Sequence, residues 1–154
     1  MANFRRENLQ AILKNLQNAL FGSTETEVEM SIRKRFTIAE INAGATLVAA
    51  TVGYKYAVRD MAMISVGGAV GATTTVDILG TRSAASVKLL AVAIAALTQS
   101  ALVRAGATNA TILADGASFT DLDQNTAITV GKTGATATTA THVDVFCNYV
   151  VKKI

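Results

Sequence analysis

From about Met30 to the end of the chain, short runs rich in valine, isoleucine and threonine are cut at near-regular intervals by glycine. Runs of this kind, bounded by turn formers, read as strands of an antiparallel protein. They cover residues 32–38, 46–52, 54–66, 73–79, 87–97, 101–104, 111–113, 127–130 and 142–151. The breaks carry Gly44, Gly53, Gly67-Gly68, Gly71, Gly80, Gly106, Asp115-Gly116 and Gly131. With no proline in the chain, glycine alone must supply the sharp turns. Many short strands joined this way predict a mainly β fold, an antiparallel β-sandwich or jelly roll, and argue against a doubly wound α/β sheet. Residues 87–97 are rich in alanine and leucine and also suit a buried helix. Strand is favoured because Leu90, Val92 and Ile94 alternate with Leu89, Ala91, Ala93 and Ala95, giving one large and one small face.

The first 29 residues have a different character. Residues 3–22 read as an amphipathic α-helix, with Asn3 placed to cap it, Glu7 near its N-terminal end and Gly22 placed to end it. Leu9, Ile12, Leu13, Leu16 and Leu20 follow three-four spacing, and Phe21 extends the stripe. A single helix of this length is marginal in water. The stripe must therefore be buried on its own domain, on sister helices or on a partner, and these five residues are the candidate oligomer or partner interface. The polar, acidic stretch 23–29 reads as a connector or an exposed edge. The expected organisation is a helix and linker over 1–29 followed by a β-domain over 30–154.

The 154 residues fit one domain with a short appendage. Only 16% are charged, against roughly 25% in a typical soluble domain. So little charge favours covering part of the surface with copies of the chain or with a partner. The net charge of +3 comes largely from Arg5-Arg6, Arg33-Lys34-Arg35 and Lys152-Lys153, read as solvated ends. Between residues 36 and 151 the charges nearly cancel, and aromatic residues are 5%, so neither a basic face nor a base-stacking platform for nucleic acid is expected. No secretory signal is expected, and the longest apolar run, 89–97, is far short of the roughly 20 residues of a membrane span.

Several motifs suggest chemistry and fail on inspection. Gly131-Lys132-Thr133 ends like a phosphate-binding loop, but Thr126 holds the place of the first glycine, and residues 134–145 (GATATTATHVDV) are a poor helix opener. Residues 130–140 read instead as a connection between two strands, with Gly131 and Gly134 at positive φ. Residues 66–71 (VGGAVG) lack the helix that a dinucleotide-binding turn requires and read as a hairpin loop. Asp121, Asp123 and Asn125 alternate as in a calcium loop, yet Thr126 and Lys132 stand where glycine and glutamate are needed. A turn built on Asx side chains is the expectation there. Asp60, Asp77, Asp115 and Asp144 are scattered among strands. Cys147 is the lone cysteine, which excludes an internal disulfide. His142, the one histidine, sits an odd number of residues away on the same strand, so the two side chains face opposite ways. No catalytic residues, cofactor or metal are expected.

The phrases DILGT (77–81), LTQS (97–100), LADG (113–116) and TAITVGKTG (126–134) give residues 37–151 a likeness: the stretch resembles small virion proteins of tailed bacteriophages. The resemblance implies a non-enzymatic structural protein located in the virion and assembled in the host cytoplasm. In that group β-sandwich modules commonly form trimers that decorate or cement the capsid, so the implied partners are other copies of the chain and the major capsid protein or another virion protein. The helix over 3–22 would then anchor the module, by three-helix association or by lying on the capsid protein. A competing expectation is a tail or fibre component whose β-loops recognise a host, although sparse aromatics count against glycan binding.

Overall fold

The computed structural model describes residues 27–154. The stripe Leu9, Ile12, Leu13, Leu16 and Leu20, and the helix expected to carry it, lie outside the described residues. Among the described residues nine strands form two sheets in which every ladder is antiparallel. They are β1 (Glu27–Thr37), β2 (Ala45–Val48), β3 (Tyr54–Val66), β4 (Gly71–Arg82), β5 (Ala85–Ala93), β6 (Leu102–Arg104), β7 (Ala110–Ile112), β8 (Ile128–Thr138) and β9 (His142–Lys153). The first sheet has the order β1-β9-β3-β6 and the second β2-β8-β4-β5-β7. Both contribute to one apolar core. Phe36, Met61, Met63 and Val145 come from the first sheet, and Val76, Ile78, Leu90 and Val130 from the second. Each such fully buried side chain is worth about 1.5–3 kcal/mol in area removed from water, which makes the alternation of the strands the dominant folding signal.

The long strands follow the sequence pattern closely. On β9, Val143, Val145, Cys147 and Tyr149 enter the core, while His142, Asp144, Phe146, Asn148, Val150 and Lys152 take the opposite face. The strand expected over 54–66 matches β3, and 23–29 is in part an exposed edge, since β1 begins at Glu27 and borders its sheet.

Five readings need correction. The strand expected over 46–52 stops at Val48, and the chain then turns, with Tyr54 N donating to the Thr51 carbonyl at 3.2 Å. The strand expected over 32–38 ends at Thr37, because Thr37 and Glu40 form a capping box that opens a six-residue helix, α1 (Ile38–Ala43). Glu40 N donates to Thr37 Oγ1 at 3.3 Å, and Thr37 N donates to Glu40 Oε2 at 2.8 Å. The strand expected over 87–97 stops at Ala93 and continues as a tight turn, in which Leu97 N donates to the Ala93 and Ile94 carbonyls. Its two faces also change phase. The register steps from Ile78–Leu90 to Leu79–Lys88, leaving Leu89 as a bulge, so both Leu89 and Leu90 are fully buried.

Residues 130–140 are mostly strand, because β8 runs on to Thr138. Gly134 has φ +92, as expected, whereas Gly131 is extended in the ladder opposite Asp77. Finally, Gly67-Gly68 does not close a hairpin. It carries the chain from β3 in one sheet to β4 in the other, and Gly67 at φ +76 lies so close to Thr141 that a Cβ there would sit 2.1 Å from Oγ1.

Candidate interaction surface

The outer face of the β1-β9-β3-β6 sheet gathers the groups best suited to contact a partner. Alternation on β1 places Arg33 and Arg35 on one side, and the register sets Arg35 beside Asp144 and Arg33 beside Phe146. Continuing across the sheet, Asp144 pairs with Ile64 and Ile64 with Leu102, while Phe146 pairs with Ala62 and Ala62 with Arg104. The result is a small apolar strip, Phe146, Ala62, Ile64 and Leu102, framed by three guanidinium groups. Leu102 is half-exposed.

Asp144 organises this surface. Arg33 Nη2 donates to its Oδ2 at 2.6 Å, and Arg35 Nε donates to its Oδ1 at 2.9 Å. The hydrogen bond from Arg35, supported by that from Arg33, outweighs the cost of burial and holds the carboxyl at about 2, below its ordinary 3.8. The Asp144 side chain is 3% exposed, yet each arginine over it is 60% exposed. The arginines are thus fixed in direction but open to solvent. Arg33 also lies over the Phe146 ring, 5.3 Å from its centroid. Across the sheet Arg104 Nη1 bonds Asp60 Oδ2 at 3.0 Å. His142 Nε2 stands 3.9 Å from Asp144 Oδ1. Arginines held beside an aromatic ring match residue types enriched in protein–protein interfaces, and the exposed Leu102 adds apolar area to them.

On the other sheet, Asp77 is buried on the outer side between Gly131 of β8 and Ala91 of β5. Thr133 Oγ1 donates to Asp77 Oδ2 at 2.6 Å and accepts from Lys88 Nζ, which lies 3.4 Å from the same carboxylate oxygen. The threonine of the Gly-Lys-Thr motif is therefore used within the sheet. Lys132 Nζ donates to the Gly134 carbonyl, and the strand leads into a turn towards β9, not into a helix. The requirements of a phosphate loop are unmet in three dimensions as they are in sequence.

The acidic positions of 121–125 diverge and do not converge on an ion. Asp123 accepts from the backbone N–H groups of Ser83 and Ala84, at 3.0 and 2.7 Å, and so holds the β4–β5 turn. Asn125 Oδ1 accepts from Gly53 N at 2.7 Å, and Asp121 bonds Lys55 and Lys152. The Asx-stabilised turn expected at 121–125 is therefore not what forms: Asp123 and Asn125 hold the backbone of two other turns, at residues 83–84 and at Gly53. Among the described residues no group of three or more His, Cys, Asp and Glu side chains is arranged to hold a metal ion, and no helix is long and apolar enough to cross a membrane. Cys147 is buried, and burial, with Asp60 nearby, pushes its thiol up to about 12.

The arginine-framed face was only half legible in the sequence. Arg33-Lys34-Arg35 reads as a solvated charge run, and no spacing within β1 reveals that Asp144, more than a hundred residues on, is its partner. The usable signal was alternation: Arg33 and Arg35 share one side of β1, and Asp144 and Phe146 share one side of β9. Comparison with protein-family models, with curated proteins and with solved structures returned no match.

Proposed function

We propose that this chain is a non-enzymatic structural protein of a tailed-phage virion, a decoration protein that assembles as an oligomer, most simply a trimer, on the capsid and stabilises the shell. The observation that carries this reading is the outer face of the β1-β9-β3-β6 sheet, an arginine-framed apolar strip built for protein contact. Its setting supports the virion assignment. The strand pairs β1·β9, β2·β8, β3·β6 and β4·β5 are nested, as in one long hairpin folded over on itself, with β7 added at the edge. We read that nesting as the order of a jelly roll, an architecture used by capsid proteins and by lectins. The inference from architecture to role is analogy; the phage likeness of residues 37–151 narrows it. Repetition of a modest contact by symmetry would stabilise a shell through multivalency.

Two measurements test this. Light scattering of the full chain should give an oligomer, and the pair Arg33→Glu and Leu102→Asp should lower its mass towards that of a monomer. Heads and tails purified separately from the encoding phage, and analysed by mass spectrometry, should place the chain on heads in fixed stoichiometry. Recovery from tails alone would favour a fibre component, and absence from both would refute a virion role.

A further inference from the structure

The open end of the two sheets holds a cleft of about 360 Å³ lined chiefly by apolar groups, including Met30, Val48, Thr51, Tyr54, Tyr149 and Val151. Its rim is unusually apolar. Among the described residues four large hydrophobic side chains are exposed, and three of them lie at this end: Met30 at 46%, Val52 at 87% and Ile154 at 59%. Val52 adjoins the lining residue Thr51, and Ile154 N donates to the Gly53 carbonyl at 3.0 Å, which ties the C-terminus to the same loop. Exposed apolar groups concentrated around a cleft mark a docking surface.

The chain itself enters here. β1 starts at Glu27, where Lys152 Nζ bonds Glu27 Oε1 at 2.7 Å, and Met30 lies only three residues further on. Outside the described residues the chain continues for 26 residues, and these include the apolar stripe Leu9, Ile12, Leu13, Leu16 and Leu20. Residues 21–26, fully extended, span up to about 20 Å. The stretch from Glu27 to Met30 covers about 10 Å of strand. Leu20 can therefore reach the cleft without strain, and twelve residues, the length of the stripe, measure about 18 Å as a helix. A tethered segment also reaches its site at an effective concentration near millimolar, which no free partner matches at ordinary dilution.

We infer that the N-terminal stripe of this chain docks on its own β-domain, into the cleft between Met30, Val48 and Tyr54, and covers Val52 and Ile154. This resolves the three fates open to the stripe in favour of its own domain, and it stands independently of the virion reading. Oligomer contacts are then left to the sheet faces.

The chain contains no tryptophan, so a single introduced one reports on the rim. The full chain carrying Val52→Trp should emit at shorter wavelength than a solvent-exposed indole. The emission should move to the solvent value when Leu13→Asp and Leu16→Asp are added, move part of the way with the milder Leu16→Ala, and stay in place with Asn18→Asp on the polar side of the stripe. It should also be unchanged by dilution. Each variant should keep a cooperative urea transition, which shows that the β-module stays folded. Solvent-like emission in the otherwise unaltered chain, or a blue shift indifferent to both Leu16 substitutions, would overturn the proposal. So would a blue shift lost on dilution, because the occupant would then be a second copy.

Discussion

Replacing Asp144 with asparagine tests whether the arginine-framed face is an electrostatic unit. The substitution keeps the shape of the side chain and removes the charge that Arg33 and Arg35 share. A carboxyl held at about 2 instead of 3.8 favours the folded state by about 2.4 kcal/mol when ionised, at about 1.36 kcal/mol per pH unit. Both guanidinium groups are 60% exposed, so water screens the pair and the net effect should fall to about 1–2 kcal/mol. The sign follows from the depressed value: the stabilisation is complete above pH 4 and is lost as pH falls from about 4 to about 2. Urea midpoints of the parent and Asp144→Asn should thus differ by about 1–2 kcal/mol at pH 7 and converge near pH 2, with an unchanged denaturant slope. Added salt should narrow the gap at pH 7. A difference that is the same at pH 7 and pH 2 would refute the electrostatic account and leave packing as its cause.

The sheet crossing and the buried thiol give two further tests. Gly67→Ala should cost about 3 kcal/mol or more, because φ is +76 and the new Cβ would lie 2.1 Å from Thr141 Oγ1 and 2.7 Å from its Cβ. Gly106→Ala, at φ +80 with open space around it, should cost only about 1 kcal/mol; equal losses in thermal or urea unfolding would show that the Thr141 contact does not matter. Cys147, with its thiol pushed up to about 12, should resist a thiol reagent at pH 8 in the folded protein and react fully in urea. Rapid labelling without denaturant would contradict the packing of β9.

What the sequence reveals and what it hides divide along physical lines. Alternation on β3 and β9 is legible because each strand has one face in the core, and the sorting of Val143, Val145, Cys147 and Tyr149 from Asp144 and Phe146 needs no knowledge of the partner strand. Features set by two distant segments are not legible. The bulge at Leu89 arises from the register step between Ile78–Leu90 and Leu79–Lys88, and β8 is extended through Gly131 by pairing with β4, while Gly134 keeps its positive φ at an irregularity of the same ladder. The capping box at Thr37 and Glu40 is a local signal and could be read from the sequence, but the alternation of Ile32, Phe36 and Ile38 with charged residues and threonine reads as one strand through Ile38 and masks it.

The low charge content takes on a different meaning once the strands are placed. Charges are concentrated on the outer side of the first sheet, which carries Arg33, Arg35, Lys55, Asp60, Arg104, Asp144 and Lys152. By register, the outer side of β8, β4 and β5 offers Thr129, Gly131, Thr133, Thr75, Ala91, Ala93 and the half-buried Leu79, with Asp77 and Lys88 already paired to each other. The Thr133 hydroxyl is bound to Asp77 and Lys88 and that of Thr75 is buried, so this face is held by its own polar contacts, and among the described residues none of its large apolar side chains is exposed. The pressure towards association falls on two other places: the strip from Phe146 to Leu102, where apolar groups sit between oriented arginines, and the rim formed by Met30, Val52 and Ile154. The first has no occupant of suitable chemistry among the described residues. The second lies within reach of a stripe carried by the same chain. A protein with these two surfaces would close one on itself and keep the other for its neighbours, and the arginines that Asp144 fixes in place would set the direction of that contact.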